Sequence, residues 1–376
     1  MSVVQGFTKD RFEPVRAAFE SSFASGADVG ASYCATLEGE TVVDLWGGHA
    51  DEARTRAWQK NTIVNVYSTT KTMTALTALL LTDRGELDFD APVSRYWPEF
   101  AANGKKDVKV SHLMSHSAGL SGWKEKVGVR DLYDWDKATS LLAAQAPFWE
   151  PGTAPGYHAV TQGYLVGEVL RRITGRSLGT VFREEIAEPL GADFHIGLPA
   201  SEDGRVADLI PPETAGISQG PQTEIQKNMS NNPPTDPRDT RTRAWRGAEI
   251  PAAGGTGNAR SVAEIHVLLA NGGMAKGKRI LSDAGCRKAL EPQIEGKDLI
   301  LGVPVRYGMG FGLPGEMIPL PNPNTIFWGG YGGSLVIIDM DRRTTFAYVM
   351  NRMVGTTTGD MRAFTLAMAM WQAMAA

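Results

Sequence analysis

Cysteine is scarce in this chain. Cys34 and Cys286 are the two present in 376 residues, too few for a disulfide framework and without the spacing of a metal site, so each reads as a small buried hydrophobe. Positive charge is not in excess either. Lys and Arg number 38 against 42 Asp and Glu, a formal net charge of -4 with no basic block, which argues against nucleic acid as a partner. No apolar run approaches the length of a membrane span. The N-terminal stretch MSVVQGFTKDRFEPV lacks the basic region and apolar core of a secretory leader, so the expected location is the cytoplasm. What remains is the composition of an ordinary globular enzyme, 42% apolar and 21% charged. The length suffices for two units with cores of their own. The 42 glycines imply many tight turns.

Hydrophobic periodicity divides the chain into three parts. Residues 8–24 repeat at helical spacing, through Phe12, Val15, Phe19 and Phe23. Val29 to Leu37 and Thr41 to Leu45 read as two strands joined at Gly39-Glu40. The middle is mainly helical, with Ala159 to Ile173 the clearest amphipathic segment, stopped at Gly175. Residues 201–250 turn polar and rich in Pro, Asn and Asp. They read as an irregular excursion, of the kind that forms lids or binding walls. Ser261 to Ala270 returns to helix. Thr325 to Trp328, Ser334 to Asp339 and Thr344 to Met350 then form a meander, followed by a methionine-rich helix from Met361 to Met374 that packs on the sheet. Strands at both ends predict one sheet built from both. The expected division is an α/β sandwich from residues 1–79 and 290–376, with a mainly helical insertion at 80–289.

The chemistry centres on Asn65-Val66-Tyr67-Ser68-Thr69-Thr70-Lys71. β-Branched residues precede it, and an apolar helix ending at Asp83-Arg84-Gly85 follows. Ser68 falls in the first helical turn, and Lys71, three residues on, shares its face. A serine hydroxyl becomes a nucleophile only when a base takes its proton. A lysine kept neutral by burial at a helix N-terminus can be that base. Tyr157, fixed by a Pro/Gly-rich turn, is placed to relay protons beside such a pair. The turn Trp328-Gly329-Gly330-Tyr331-Gly332-Gly333 offers a free backbone N–H at Tyr331, which with that of Ser68 would form an oxyanion hole. Trp328, Gly329 and Gly330, with His158, Trp123 and Trp149, are the expected pocket residues. Two motifs are set aside. Gly216-Ile217-Ser218-Gln219-Gly220 matches a nucleophile elbow but lies among prolines. His112 and His116 lack the zinc-protease pattern and a third ligand. Neither a metal nor a cofactor is expected.

Together Ser68-Thr69-Thr70-Lys71, Tyr157 and the 328–334 turn resemble, in order and spacing, the class C branch of the serine β-lactamase and penicillin-binding superfamily. The likeness extends through RGELDFDAPVSRYWPEF, VKVSHLMSHSAGL, PGTAPGYHAVTQGYLVGEVLRRITG and GGTGNARSVAEIHVLLANGG. It implies a β-lactamase-like fold, an antiparallel sheet flanked by helices plus an all-helical domain. Two departures narrow the function that the resemblance implies. Its Tyr-x-Asn motif is Tyr157-His158-Ala159 here, without the carboxamide that holds an acylamino side chain. The Lys or His that opens the third motif is Trp328, an apolar wall where a substrate carboxylate would have met a cation. Trp328-Gly329-Gly330 resembles the family VIII carboxylesterases instead. The expectation is a serine esterase for short-chain or aromatic small-molecule esters, with weak β-lactam hydrolysis as a side activity. Alternatives on the same residues are a β-lactamase or D-Ala peptidase, a small-amide hydrolase or acyltransferase, and a non-catalytic binding protein. No sequence feature specifies an oligomeric state.

Overall fold

A computed structural model describes residues 4–213, 221–357 and 359–375. Its main sheet is antiparallel, with β1 (Val4–Thr8), β2 (Gly30–Leu37) and β3 (Glu40–Gly48) from the start of the chain. Between them and the C-terminal strands come three two-residue segments, β4 (Val64–Asn65), β5 (Phe194–His195) and β6 (Thr256–Gly257). Two hairpins follow, β7 (Met274–Ala275) with β8 (Lys278–Arg279), and β9 (Ile294–Lys297) with β10 (Pro304–Tyr307). The chain closes with β11 (Thr325–Gly329), β12 (Leu335–Asp339) and β13 (Thr344–Met350). The main sheet runs in the order β1-β3-β2-β13-β12-β11. Its centre is the β2–β13 pairing, Thr344 opposite Leu37 through Met350 opposite Ala31, so one sheet joins both ends of the chain.

The helices are α1 (Glu13–Ala24), α2 (Thr70–Asp83), α3 (Val110–Met114), α4 (Trp135–Ala144), α5 (Thr161–Thr174), α6 (Leu178–Phe182) and α7 (Glu188–Leu190). After them come α8 (Glu224–Asn231), α9 (Arg243–Gly247), α10 (Ala259–Ala270), α11 (Asp283–Arg287) and α12 (Met361–Ala375). None of the described helices is long and apolar enough to cross a membrane. Neighbouring residues of a strand face opposite ways, and β13 shows which helix covers which face. Phe346 meets Trp371 of α12, ring centroids 5.8 Å apart. Thr345 turns the other way and donates its hydroxyl to Ala263 O of α10. The sheet is thus sandwiched between α1 and α12 on one side and α10 on the other. α10 therefore packs on the sheet, although it lies within residues 80–289, the stretch expected to be the helical insertion. That helix lies amid polar turns in the sequence, and only its apolar face reveals where it packs.

Two further expectations change. β1 is a strand where none was read, because its five residues are mostly exposed and carry no alternation. Gly6 sits in it at φ +103, where a Cβ would stand 1.9 Å from Asp44 O. The extended residues before Ser68 do not join the main sheet; β4 pairs with β6, which pairs with β5. α2 follows, with twelve of its fourteen residues buried. An all-round apolar helix of this kind must be central, and α5, α6 and α11 surround it.

A buried arginine anchors the C-terminal turn. Arg362 donates to Asp28 Oδ1 at 2.9 Å, to Asp360 Oδ2 at 2.5 Å and to Gly332 O at 3.1 Å. The Asp28 side chain is wholly enclosed. Arg362→Ala strands that carboxylate, and urea unfolding should show a loss of about 3–5 kcal/mol.

Candidate active site

The turn at Ser68 is set by constraints on both flanks. Asn65 Oδ1 accepts from Tyr67 N at 3.0 Å, while Asn65 Nδ2 donates to Ala253 O. The chain must pass from strand to helix within one residue, and Tyr67 does so at φ +45. A non-glycine residue in that region costs roughly 1–3 kcal/mol and persists where neighbours over-determine it. Residues 67–69 form a 3-10 turn that feeds α2. Thr70 Oγ1 closes the turn, donating to Tyr67 O and accepting from Gly255 N. On the other side, Ser334 Oγ donates to Val66 O at 2.9 Å and lies 2.9 Å from Thr69 Oγ1. The turn between β11 and β12 is thereby clamped against the serine turn.

Three side chains converge. Lys71 Nζ lies 3.1 Å from Ser68 Oγ, and the Tyr157 hydroxyl donates to the same oxygen at 2.5 Å. Lys71 is completely buried. Its remaining contacts are two backbone carbonyls, Ala159 O at 2.6 Å and Ala252 O at 2.9 Å. Desolvation drives its pKa well below the usual lysine value. A neutral amine has two N–H donors and one lone pair. The two carbonyls take the donors, so the lone pair faces the Ser68 hydroxyl. Burial raises the Tyr157 pKa, against which hydrogen bonds with Ser68 and Trp328 act. The phenol therefore stays protonated at neutral pH. The amides of Ser68 and Tyr331 have no acceptor among the described residues, and both residues line one cavity of about 340 Å³. Gly330 passes so close that a Cβ there would meet Val66 O at 2.2 Å.

The pocket residues divide. Trp123 lines the cavity, its indole N–H donating to Ala138 O. Trp328 and Gly329 line a second cavity that shares Tyr157 with the first. His158 does not line either one. It is buried behind Tyr157, where Nδ1 meets Gly156 O at 2.6 Å and Nε2 accepts from Leu120 N at 3.0 Å. Burial lowers its pKa to about 3. Trp149 is also behind the site, packed on Gly156 and edge-on to His158 at 5.8 Å. Both were expected in the pocket, His158 from its adjacency to Tyr157 and Trp149 as an aromatic wall from the helical side, but the turn directs them into support. The 201–250 excursion contributes a wall of the first cavity, including Met229, Asn232, Pro233 and Trp245. Ser218 lies outside the described residues.

Sequence reasoning missed a second layer. Asp298 is fully buried, and its Oδ1 accepts from Tyr157 N at 3.1 Å and from the amides of Ile300 and Leu301, both at 2.8 Å. Tyr307 donates to Oδ2 at 3.2 Å. One carboxylate thus fixes both the tyrosine and the segment beside it. His116 stacks on Trp328 at 5.3 Å and accepts at Nδ1 from His158 N. No motif marks these residues. Asp298 follows Lys297 and directly precedes the apolar run Leu299-Ile300-Leu301, a setting that gives no signal in the sequence.

Over nearly its whole length the chain is similar to known proteins. The family model described as Beta-lactamase matches residues 15–369. Esterase/beta-lactamase LipL of Mycobacterium tuberculosis is 35% identical over 367 residues, spanning 93% of this chain and 83% of LipL. A crystal structure of a family VIII carboxylesterase is similar at a TM-score of 0.94 and 45% identity, over 98% of this chain and 99% of the other. A novel penicillin-binding protein homolog from Caulobacter crescentus also reaches a TM-score of 0.94, at 39% identity, over 98% and 99% of the two chains.

On this geometry Ser68 is expected to be reactive only while Lys71 is uncharged. Fluorophosphonate labelling, mapped by peptide mass spectrometry, should fall on Ser68. It should slow as pH drops through the lowered Lys71 pKa, because the amine then holds a proton and cannot accept another. Lys71→Arg, whose side chain stays protonated, should label roughly 100- to 10,000-fold more slowly throughout.

Proposed function

The chain belongs to the beta-lactamase family of serine hydrolases, and from that premise we propose that it is a carboxylesterase in which Ser68 is the nucleophile. The observation that carries the reading is Ser68 Oγ held between Lys71 Nζ and the Tyr157 hydroxyl, at 3.1 and 2.5 Å, beside an indole and no cation at position 328. Ser68 Oγ attacks the ester carbonyl carbon as Lys71 takes its proton. The carbonyl oxygen becomes an oxyanion, held by the amides of Ser68 and Tyr331. As the tetrahedral intermediate collapses, the bond from carbon to the alcohol oxygen breaks. Tyr157 gives that oxygen its proton and is reprotonated from Lys71. Water then repeats the sequence on the acyl-enzyme, losing a proton to the same pair and releasing the acid.

Trp328 supports neutral esters as substrates. Its ring is packed against His116 and Tyr307, centroids 5.3 and 5.6 Å away, so the wall beyond Tyr157 is aromatic. A substrate carboxylate would lose its water there without gaining a partner. The name of LipL, an esterase/beta-lactamase, favours β-lactam hydrolysis as a second, weaker activity on the same serine. Ala159 and Trp328 argue that it is subordinate.

Hydrolysis of p-nitrophenyl acetate and butyrate should fall roughly 10⁴- to 10⁶-fold in kcat/KM for Ser68→Ala. An undiminished rate would overturn the assignment. Nitrocefin should be turned over at least about 100-fold more slowly than the butyrate ester, since neither the carboxamide nor the cation that β-lactams engage is present.

A further inference from the structure

We propose that Arg362 is a positioning residue for ester hydrolysis, and that it orients the Tyr331 amide through two peptide groups in series. The inference rests on the esterase reading and deepens it. The two amides of the proposed oxyanion hole are held by different means. That of Ser68 belongs to the 3-10 turn feeding α2, so the helix sets its direction. That of Tyr331 lies in Gly329-Gly330-Tyr331-Gly332-Gly333, where four glycines leave the backbone little restraint of its own. An anchor outside the turn must supply that restraint, because an oxyanion is stabilised by donors fixed before the charge develops.

The hydrogen bonds trace such an anchor. Arg362 Nη2 donates to Gly332 O at 3.1 Å, and Val354 N donates to the same oxygen at 3.1 Å. Gly332 C=O and Gly333 N–H are the two ends of one planar trans peptide, so fixing one end aims the other. Gly333 N donates to Gly330 O at 3.1 Å. Gly330 C=O is in turn the far end of the peptide that carries the Tyr331 N–H. Every link runs from donor to acceptor in one direction, guanidinium to oxyanion, and bonds in such a chain polarise one another.

The guanidinium is itself fixed. Nη2 also donates to Asp360 Oδ2 at 2.5 Å, and Nη1 donates to Asp28 Oδ1 and to Arg352 O, both at 2.9 Å. Glycine at 333 fits this packing, since a Cβ there would stand 2.1 Å from Asp360 Oδ2. The two carboxylates lie on the cation itself, so its field at the ester is largely cancelled. What Arg362 contributes is direction, and a charge-assisted first link.

The test is Arg362→Lys, which keeps a buried cation beside both carboxylates but lacks the fork that also reaches Gly332 O. Its kcat/KM for p-nitrophenyl butyrate should fall roughly 10- to 100-fold, less than the loss of a hole donor outright. A pair of ketones separates positioning from mere stability. Butyl trifluoromethyl ketone is attacked by Ser68 Oγ: a carbon–oxygen bond forms, Lys71 takes the proton, and the carbonyl oxygen becomes an oxyanion in the hole. Butyl methyl ketone binds without that addition. Inhibition by the first should weaken by the same factor as kcat/KM, and by the second no more than about twofold. Asp360→Asn loosens the seat of the guanidinium and serves if Arg362→Lys does not fold; the ratio of the two inhibition constants should move the same way, by roughly three- to tenfold. Glu168→Gln removes a buried charge paired with Arg171 and Arg172 on α5, and should leave that ratio unchanged. A wild-type ratio in Arg362→Lys or Asp360→Asn, or a shifted one in Glu168→Gln, would overturn the proposal while leaving the esterase reading intact. Absence of any ester turnover, with Ser68 unlabelled, would overturn both.

Discussion

Dehydration of one amine governs this structure. Lys71 Nζ is enclosed by α2, the segment after Tyr157 and the segment before β6, and meets only neutral oxygens. No carboxylate among the described residues pairs with it, and desolvation alone accounts for its lowered pKa. The linkage has a definite sign. Between the folded and unfolded pKa values the unfolded chain binds a proton that the folded chain does not, so stability rises with pH across that window. At neutral pH this lysine therefore works against folding. The cost is offset by the buried apolar side chains of α2, Met73, Ala75, Leu76 and Ala78 to Leu81. A site of this kind is expected to be less stable than an inert substitute would be.

Charges that do occur near the site are placed one step back, where they hold backbone. Asp298 fixes Tyr157 and the 300–301 segment through three amides. Arg362 fixes the Gly332 carbonyl next to Tyr331. Each is buried and fully hydrogen-bonded, so neither spends its charge on the reacting atoms. This separation lets the cavities be apolar while the polypeptide around them stays rigid. Histidine follows the same rule. His116 and His158 are both neutral, with pKa values lowered by burial, and serve as packing and hydrogen-bond spacers behind the tyrosine.

Much of this was legible in sequence because it depends on local spacing. Ser68 and Lys71 meet because three residues make nearly one helical turn. The meander of β11 to β13 follows from alternation broken by glycine and charge. The affinity of the two chain ends for one sheet was visible in where strands occurred. Legibility failed where position depends on the path of irregular chain. His158 follows Tyr157 directly, yet the two side chains point apart, and Trp149 returns only to prop the turn. α10 reads as a helix but not as a layer of the sandwich, since its partners lie on strands distant in sequence. Asp298, Tyr307 and His116 come from separate loops, and no periodicity connects them. β4 is too short to declare which sheet it joins.

The clamp between the serine turn and the β11–β12 turn also has a temporal meaning. Thr69 and Val66 are bound by Ser334, and the amide proposed for the oxyanion belongs to Tyr331. A nascent chain emerging from the ribosome has made the nucleophile long before it has made these partners. Until β11 to β13 arrive and β13 inserts beside β2, the serine turn lacks its Ser334 clamp and the Tyr331 amide beside it. Non-local pairings of this sort form slowly. On the proposed mechanism, the site is thus incomplete until the last strands are seated.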